Sequence, residues 1–493
     1  MASFIGIDLG TTYSAISYID DTGRPKIIHN SEGENITASC IAFEGANVSE
    51  TGNEARKLLG IEDNVVARFK RDMGTSKKYT INGKKHTPTS LSAEILKKLY
   101  FDAKNQIGEI EEAVITVPAN FAQEARDETK KAAKLAGINV KYMIDEPTAA
   151  ALYYAYQGGG SLNGYYAVYD LGGGTFDVSI VKIDGEDVEV VATHGIPKLG
   201  GDDFDSALQK IAQEKFNKET GEELEEQDFT KTEAEENKQS LSKRDVRIRL
   251  NRKSYPVSQA EFEDVITSMV AQTEMICETV LEEAKLTIDD IEEVFLVGGS
   301  TRIPLVQQSV KRSFKMTPTA TVNVDEVVSL GASIYAAIKG DRSKLNPAQK
   351  ASIEKISVSD VTPAYYGVIV ETYDKEREVD RVLQVSIVIE KNVKRPCTFT
   401  KTYYTPFDDC PKMQCTVTQS MALETDPDFV NTVAEVSLGP LPLGNKYGDP
   451  VEATYSYDEN GIMHASFLDV NSGIKKEISL SDQDENSGSI EID

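Results

Sequence analysis

The sequence predicts an α/β unit made of two related lobes, followed by an antiparallel β-sandwich. A strand–turn–strand hairpin occurs twice, at residues 4–19 and again at residues 166–183, and such a duplication is typical of two lobes built on one plan. Strands and helices alternate through residues 1–340, which is the pattern of an α/β fold. From residue 361 onward, polar and apolar residues alternate in short segments, which indicates antiparallel strands.

Each of the two hairpins combines an apolar strand that ends in an aspartate with a turn rich in glycine and threonine. The first reads FIGIDLGTTYSAISYI and the second reads YAVYDLGGGTFDVSIVKI. Glycines let the backbone approach a phosphate closely and point its N–H groups at the oxygens. Asp8 and Asp170 would lie at matching strand ends, where two carboxylates can hold a hydrated Mg²⁺ against those phosphates. One copy alone is often only a tight turn, but the duplication and a third glycine turn at 294–304 favour a nucleotide held between two lobes.

The other elements of the α/β unit follow from the spacing of their apolar residues. Residues 111–119 and 292–299 are nearly continuous apolar runs, as expected for buried strands. The charged stretch 219–249 is expected to be a solvated helix face or a mobile subdomain, and 341–360 a polar connector. Apolar or small residues that share a helical face are Leu91, Ile95, Leu96 and Leu99 in one helix and Ala125, Thr129, Ala132, Ala133 and Ala136 in another.

Residues 361–481 contain seven segments of alternating residues separated by turn residues, which predicts a β-sandwich. The dipeptide Asn460-Gly461 is a strong signal for a hairpin turn. The acidic tail, 482–493, is expected to be disordered because it contains too few apolar residues to form a core.

Composition limits the classes of function. The formal net charge of −27 argues against nucleic acid as a partner, because a phosphate backbone requires a basic surface. Five cysteines without a CxxC pair and four histidines argue against a zinc site and favour a reducing, cytoplasmic compartment. We expect neither a signal peptide nor a membrane-spanning segment, because the first strand follows Met1 closely and no apolar stretch is long enough.

The order of the motifs resembles that of the heat-shock protein 70 (Hsp70) chaperones. The motifs are IGIDLGTTYS, ARFKR, EAVITVPANF, IDEPTAAALYYAY, VYDLGGGTFDVSI, KLGGDDFD, VFLVGGSTRIP, DVTP and DENGIMHASFLD. The resemblance covers the chain and leaves out the C-terminal helical lid of that family. It implies an actin-like two-lobed ATPase with ribonuclease H-like repeats over 1–340, a linker over 341–360, a substrate-binding β-sandwich over 361–481 and a tail over 482–493.

The resemblance also implies a set of residues that bind ATP or ADP with Mg²⁺. The phosphate and metal ligands would be Asp8, Gly10, Thr11, Thr12, Tyr13, Lys70, Glu146, Asp170, Gly172, Gly173, Gly174 and Thr175. The adenosine pocket would consist of Gly200, Gly201, Glu235, Lys238, Ser242, Gly298, Gly299, Ser300, Arg302 and Asp325. Gln239 stands where the family has a second basic residue, so one stacking contact to the base is expected to be weaker.

Lys70 and Glu146 are the expected catalytic residues, together with Asp8, Asp170 and Thr175. Lys70 is assigned to the γ-phosphate and the attacking water, and Glu146 would orient water or act as the base. By residue type alone, Lys70 would more often be a solvated lysine and Glu146 a helix-capping acid before Pro147. The surrounding motifs favour the functional roles, and for Glu146 the two roles are compatible.

Three further residues match the family's relay between nucleotide and substrate: Pro118, Arg126 and Asp360. The family's leucine-rich linker is replaced here by Ile356-Ser357-Val358-Ser359. Because serine contributes little apolar surface for burial, coupling is expected to be shallow or to use a different geometry.

The resemblance implies that the sandwich binds extended, unfolded polypeptide. Candidate lining residues are Val368, Val370, Tyr403, Tyr404, Met413 and Cys415, and inward-facing core is an equally good interpretation of them. A J-domain co-chaperone and a nucleotide-exchange factor are further expected partners. The family places a basic residue for the J-domain where this chain has Tyr142, and Lys141 is a possible substitute.

The leading hypothesis is therefore an atypical, lidless ATP-dependent chaperone. The alternative is a nucleotide-switched scaffold that binds one dedicated partner through its sandwich. A sugar kinase is disfavoured because it has no place for Lys70 and the appended sandwich, and a cytoskeletal filament is disfavoured by the appended sandwich.

Overall fold

A computed structural model describes residues 3–45, 47–319, 323–374, 379–458 and 461–479. The chain forms two compact units, Met1–Val358 and Ser359–Asp493. Asn460 of the expected hairpin turn and the tail 482–493 lie outside the described residues. Within the described residues, no helix is both long and apolar enough to cross a membrane.

The first part of the α/β unit is built around a mixed sheet with strand order β11-β10-β1-β2-β3, to which β4 is added beside β2. Its core includes apolar residues of β1, β2 and the long helix α2. We call this part the first lobe. Its strands are β1 (Ser3–Asp8), β2 (Tyr13–Ile19), β3 (Pro25–Ile27), β4 (Thr37–Ala38), β5 (Cys40–Glu44), β6 (Asn47–Thr51), β7 (Val65–Ala67), β8 (Tyr79–Ile81), β9 (Lys84–His86), β10 (Ile110–Val117) and β11 (Val140–Asp145), and its helices are α1 (Asn53–Lys57), α2 (Pro88–Ile107), α3 (Gln123–Leu135) and α4 (Glu146–Gly158).

The second lobe has its own core around a sheet with strand order β17-β12-β13-β14-β18. In both lobes an antiparallel hairpin, β1–β2 or β12–β13, is flanked by a parallel strand. The strands are β12 (Asn163–Leu171), β13 (Phe176–Asp184), β14 (Asp187–Ile196), β15 (Val246–Leu250), β16 (Lys253–Val257), β17 (Ile291–Val297) and β18 (Ser357–Ser359), and the helices of this stretch are α5 (Gly201–Thr220), α6 (Lys231–Leu241), α7 (Gln259–Ala284), α8 (Pro304–Phe314), α9 (Val327–Lys339) and α10 (Pro347–Ile353).

The expected connector at 341–360 is not a simple linker. It contains the helix α10 and the short strand β18, and residues up to Val358 belong to the α/β unit. Ile356 is buried, and the Ser357 hydroxyl donates a 2.6 Å hydrogen bond to Asp187 at the start of β14. Ser357 and Ser359, which had suggested a polar connector, belong to a strand at the edge of the sheet. A serine hydroxyl is compatible with an edge strand because it can form a hydrogen bond there.

Local periodicity predicted the helical faces well. Leu91, Ile95, Leu96 and Leu99 are all buried on α2. On α3, the small residues Ala125, Thr129, Ala132 and Ala133 are buried, and Ala136 is its C-cap. The charged stretch 219–249 contains α6, whose buried face includes both Leu241 and the charged residues Glu235 and Lys238.

The second unit contains two four-stranded antiparallel sheets, with orders β20-β19-β22-β23 and β21-β24-β25-β26. Residues of both sheets share one apolar core, as the alternating pattern predicts. The strands are β19 (Tyr365–Asp374), β20 (Val379–Ile389), β21 (Cys397–Tyr404), β22 (Met413–Ser420), β23 (Asn431–Leu438), β24 (Pro450–Tyr457), β25 (Met463–Asp469) and β26 (Lys475–Ser479).

In the α/β unit, the first strand and two helices pack with backbone against backbone. A Cβ on Gly331 of α9 would lie 1.7 Å from the carbonyl oxygen of Ala149 in α4, and a Cβ on Gly6 of β1 would lie 2.1 Å from the Ser333 nitrogen. No side chain fits at these two crossings. They fix the position of α4, whose first residue is Glu146.

We expect Gly331→Ala to lower the free energy of unfolding by about 3 kcal/mol, because overpacking against backbone forces the helices apart. Urea unfolding would measure the change. Gly137→Ala is the matched control: its φ of 75° is unfavourable for alanine, but nothing lies within 4 Å, so we expect a loss of about 1 kcal/mol. Equal losses in the two variants would contradict the packing argument.

Candidate functional site

A cleft of about 940 Å³ in the α/β unit is lined by residues from both lobes. Of the predicted catalytic and cofactor-binding residues, all except Gly200 line this cleft. Gly200 lies beside it, since a Cβ there would be 2.6 Å from the Gly173 carbonyl. The structure thus brings together residues that are more than 300 positions apart in the sequence.

The glycine turn between β1 and β2 forms the first loop of the cleft. Its backbone is held by serines: the Gly10 N–H donates to Ser14 Oγ at 3.1 Å, and Ser39 Oγ donates to the Gly10 carbonyl at 2.7 Å. The hydroxyls of Thr11 and Thr12 belong to the same turn. This arrangement can offer backbone and hydroxyl donors to phosphate oxygens.

The corresponding turn between β12 and β13 meets the first loop face to face. A Cβ on Gly173 would lie 1.9 Å from Thr12 Oγ1, and a Cβ on Gly174 would lie 2.6 Å from Thr11 Oγ1. Only glycine therefore allows this approach. The threonines of one lobe occupy the space that side chains of the other lobe would need.

The second loop is also tied to the third glycine turn and to α5. The Gly172 carbonyl accepts hydrogen bonds from the Gly201 N–H at 3.0 Å and from Ser300 Oγ at 2.9 Å. The Gly173 carbonyl accepts one from the Asp202 N–H at 2.8 Å. These bonds use carbonyls of the loop, and of its N–H groups that of Gly172 donates to the Thr175 carbonyl at 3.2 Å.

Beneath the two loops lies a cluster of carboxylates with one lysine. Lys70 Nζ is 2.7 Å from Glu146 Oε1, with side-chain exposures of 5% and 11%, and the lysine also stands over the Phe121 ring. Asp8 accepts a 3.0 Å hydrogen bond from Thr116. Glu146 starts α4 directly after β11, and Asp170 lies at the end of β12.

The buried carboxylates repel one another. Burial, followed by the charge of Glu146, raises the pKa of Asp8 to about 7, although Lys70 and the Thr116 hydrogen bond act in the opposite direction. Burial and the same charge hold the pKa of Asp170 well above its usual range. The site therefore carries more negative charge than its single lysine compensates.

This donor set fits Mg²⁺. Within the described residues, no group of three or more His, Cys, Asp or Glu side chains is arranged to hold a metal ion. Mg²⁺ prefers oxygen ligands and usually keeps several waters, with one or two carboxylates and substrate phosphates completing its shell. Asp8 and Asp170 supply such carboxylates beside the glycine loops, and a cation there would relieve their repulsion.

The far end of the cleft is formed by α6 and the turn after β17. Lys238 Nζ lies 2.7 Å from Asp205 and donates to the Gly201 carbonyl at 2.9 Å. Arg302 lies 2.8 Å from Asp325. Gln239, which also lines the cleft, donates to Glu235 at 3.3 Å. The charged groups of Lys238 and Arg302 are paired with acids. The apolar part of the lysine side chain and the flat guanidinium group of Arg302 therefore remain available for a nucleotide base to pack against.

Sequence reasoning missed several charged residues of this site, among them Arg56 and Asp177. Arg56 of α1 lines the cleft, lies 2.9 Å from Glu235 and stands 5.6 Å over the Tyr13 ring, but no motif marks it. Asp177 is fully buried and is the cross-strand neighbour of Asp170. Burial and the charge of Glu146 hold its pKa well above its usual range. If the sequences of β12 and β13 are aligned as an antiparallel hairpin around their turn, Asp177 falls opposite Asp170. This alignment could have identified Asp177 from the sequence.

The predicted relay residue Arg126 is bonded to Asp145, the residue before Glu146, and the predicted relay residue Pro118 directly precedes Ala119, whose carbonyl accepts a bond from Arg126. Arg126 is buried and donates to Asp145 at 2.7 Å, to the Ala119 carbonyl at 3.1 Å and to the Phe121 carbonyl at 3.2 Å. It thus binds the segment after Pro118 to the residue that precedes Glu146. In the sandwich unit, Asp360 forms a 2.5 Å ion pair with Arg395.

The candidate peptide-binding residues do not share one environment. Val368 and Cys415 are buried in the sandwich core, while Val370, Tyr403 and Met413 are partly buried against it. Tyr403 donates to Ser386 Oγ at 3.0 Å, and Tyr404 is 62% exposed. For Val368 and Cys415, the interpretation as inward-facing core therefore describes the structure better.

Comparisons with known proteins identify the family of this chain. The family model described as "Hsp70 protein" matches residues 4–82 and 76–493. The chain is similar to the chaperone protein DnaK of Thermotoga neapolitana and to that of Thermotoga maritima. In each case 36% of residues are identical over 488 residues, which covers 95% of this chain and 78% of the relative.

Asp8 gives the metal-free protein a predictable pH dependence. Because the pKa of Asp8 is about 7 in the folded chain and about 4 in an unfolded one, the folded state binds more protons between these values. The free energy of unfolding therefore falls as the pH rises from about 4 to about 7. We expect Asp8→Asn to increase the free energy of unfolding at pH 8 by about 1–3 kcal/mol, and to leave it little changed at pH 4.

Urea unfolding at both pH values, without Mg²⁺ or nucleotide, would measure this difference. Asp290→Asn is the control, because hydrogen bonds from Thr287 lower the pKa of that exposed acid and its loss should not stabilise the protein. An Asp8→Asn variant no more stable than the parent at pH 8 would contradict the account of charge repulsion.

Proposed function

Because the chain belongs to the Hsp70 family, we propose that it is an ATP-dependent molecular chaperone with an actin-like ATPase unit and a polypeptide-binding sandwich. Family membership supports chaperone function, ATP binding and a role in protein folding. The observation that carries the proposal for hydrolysis is the cluster of Asp8, Asp170, Glu146 and Lys70 beneath two interlocked glycine loops.

Each residue of the cluster has a physical role in this proposal. The glycine loops and the hydroxyls of Thr11, Thr12 and Thr175 would hold the β- and γ-phosphates, and Asp8 and Asp170 would hold a hydrated Mg²⁺. The metal, when bound, neutralises charge on the phosphates. Lys70 then stabilises the charge that develops on the γ-phosphoryl group.

Glu146 is suited to orient the attacking water. Its ion pair with Lys70 keeps the carboxylate close to the lysine, and Arg126 fixes the residue before it through Asp145. A water held between Glu146 and the γ-phosphate would be in a position to lose its proton to this carboxylate. Pro118, which precedes the segment bound by Arg126, would transmit conformational changes at Glu146 to the rest of the α/β unit.

Coupling to the substrate unit is proposed to run through β18. This strand joins the edge of the second-lobe sheet, and Ser357 bonds to Asp187 where the family has apolar residues. A polar contact of this kind contributes about 0.5–1.5 kcal/mol, so the docked strand is weakly held. Asp360 follows immediately and is paired with Arg395.

Unfolded polypeptide is the proposed substrate, with Tyr404, Tyr403, Val370 and Met413 as the accessible part of its site. A J-domain co-chaperone and a nucleotide-exchange factor are proposed partners. Tyr142 lies between two lysines, with Lys141 Nζ at 4.9 Å and Lys339 Nζ at 6.0 Å from its ring centre. These lysines place positive charge beside the position where the family has its basic residue for the J-domain.

The first test concerns Lys70. We expect Lys70→Ala to retain ATP binding and to slow hydrolysis by about a hundredfold or more, because the loss of a group that stabilises developing charge affects the transition state most. Calorimetric titration of ATP with Mg²⁺ and single-turnover hydrolysis would separate the two effects. Lys97→Ala, which removes an exposed ion pair with Glu94, is the control. Near-normal single-turnover hydrolysis by Lys70→Ala would remove this lysine from the mechanism.

The second test concerns the substrate site and the scaffold alternative. A chaperone should bind a generic unfolded polypeptide and hydrolyse ATP faster in its presence, whereas a dedicated scaffold should ignore it. We expect Tyr404→Ala to weaken binding of a fluorescent unfolded peptide about fivefold, the effect of losing one exposed aromatic contact. Phe429→Ala is the control, since Phe429 is an aromatic residue of similar exposure, 72% against 62% for Tyr404, elsewhere on the sandwich unit. Failure of the parent protein to respond to any unfolded peptide would favour the scaffold.

A further inference from the structure

The hairpin formed by β15 and β16 concentrates positive charge in an acidic chain. Residues 243–253 contain six basic side chains and one acidic side chain, whereas the whole chain has 53 lysines and arginines and 80 acidic residues. The two strands pair in antiparallel register, with Arg247 opposite Pro256 and Arg249 opposite Ser254. The hairpin is therefore a basic feature on a protein whose formal net charge is −27.

One face of this hairpin anchors it to the second lobe. Asn251 and Arg252 form its turn with φ values of 44° and 68°, the left-handed conformation that the common two-residue hairpin turn requires at both central positions. The residues of the inward face are buried in the core of the lobe: Val246, Ile248, Leu250, Tyr255 and Val257. Because the turn is regular and this face is buried, the side chains of the opposite face are held at a fixed spacing.

The outward face carries Arg247 and Arg249. Both residues are exposed, and neither forms an ion pair within the part of the chain that the structure describes. The one acid of the stretch, Asp245, accepts a 2.9 Å hydrogen bond from the Gln259 N–H at the start of α7. Two guanidinium groups are therefore available to an acidic ligand.

The spacing of the two arginines favours an extended ligand. They are two positions apart on one strand, so their side chains project from the same face about 7 Å apart. In an extended peptide, every second side chain has the same direction and the same spacing. A guanidinium group can bind a carboxylate through two parallel hydrogen bonds. Two acids separated by one residue would thus match the two arginines.

We propose that the outward face of the β15–β16 hairpin binds an extended acidic segment of a partner protein, in which two acids separated by one residue pair with Arg247 and Arg249. The net charge of −27 favours a short protein segment over a nucleic acid, because the surface beyond the hairpin repels a long polyanion. This docking surface is additional to the proposed nucleotide and polypeptide sites and shares no residue with them.

A fluorescent dodecapeptide of alternating glutamate and serine tests this surface, with anisotropy as the readout. We expect the parent protein to bind it, more tightly at low salt. The double variant Arg247→Thr with Arg249→Thr should bind it about tenfold more weakly, because two ion pairs are lost. Threonine suits an exposed strand position, so the hairpin should still form, and circular dichroism would check this.

A second peptide tests the spacing. A repeat of glutamate followed by two serines, with the same number of glutamates, places successive carboxylates on opposite sides of an extended chain. We expect it to bind several-fold more weakly than the alternating peptide. Equal affinities for the two peptides would overturn the proposed fit to Arg247 and Arg249.

Arg312→Ala is the matched control, because it removes an exposed arginine that is already paired with Glu274 and should leave peptide binding unchanged. Combining Arg247→Glu with Arg249→Glu should abolish binding of the glutamate peptide and create binding of an alternating lysine–serine peptide. Parent protein that does not bind the glutamate peptide, or that binds an oligouridine RNA more tightly, would overturn the proposal. These measurements need no nucleotide, so their failure would leave the proposed ATPase site unaffected.

Discussion

The organisation of the α/β unit depends on how closely its two glycine loops approach each other. Thr11 and Thr12 fill the space that any side chain at Gly173 or Gly174 would need. This steric requirement sets the distance between the lobes at the point where phosphates would bind. It also places Asp8 and Asp170, which lie at the ends of the adjoining strands, on opposite sides of one small volume.

The charges around this small volume favour the binding of a cation, because the carboxylates there outnumber the cationic side chains that could pair with them. Asp8, Asp170, Asp177 and Glu146 gather around the single charge of Lys70. The arginines nearby do not compensate them, since Arg56, Arg68 and Arg71 are each engaged by an acid of the second lobe. Repulsion among the carboxylates lowers stability in the absence of a metal, as is common where a fold is shaped for binding.

In the sandwich unit, the local sequence pattern predicted the strands but not which of their side chains are buried. Alternation of residues located its strands and showed that each has two faces. It did not show which positions would be covered by the second sheet. Val368 and Cys415 became core, whereas Tyr404 remained exposed, because burial depends on the partner sheet and on the loops around it.

The sequence by itself determined the family, the two hairpins, the helical faces and the residues of the glycine turns that line the cleft, since each of these is written in local spacing or in a motif. The tertiary structure decided the contacts between distant segments. Arg68 and Asp202 are 134 positions apart, and Ser357 and Asp187 are 170 apart. Such pairs have no local signature, because a charge or hydroxyl finds its partner only after the lobes have packed. For the same reason, the segment expected to be a polar connector became a helix and an edge strand.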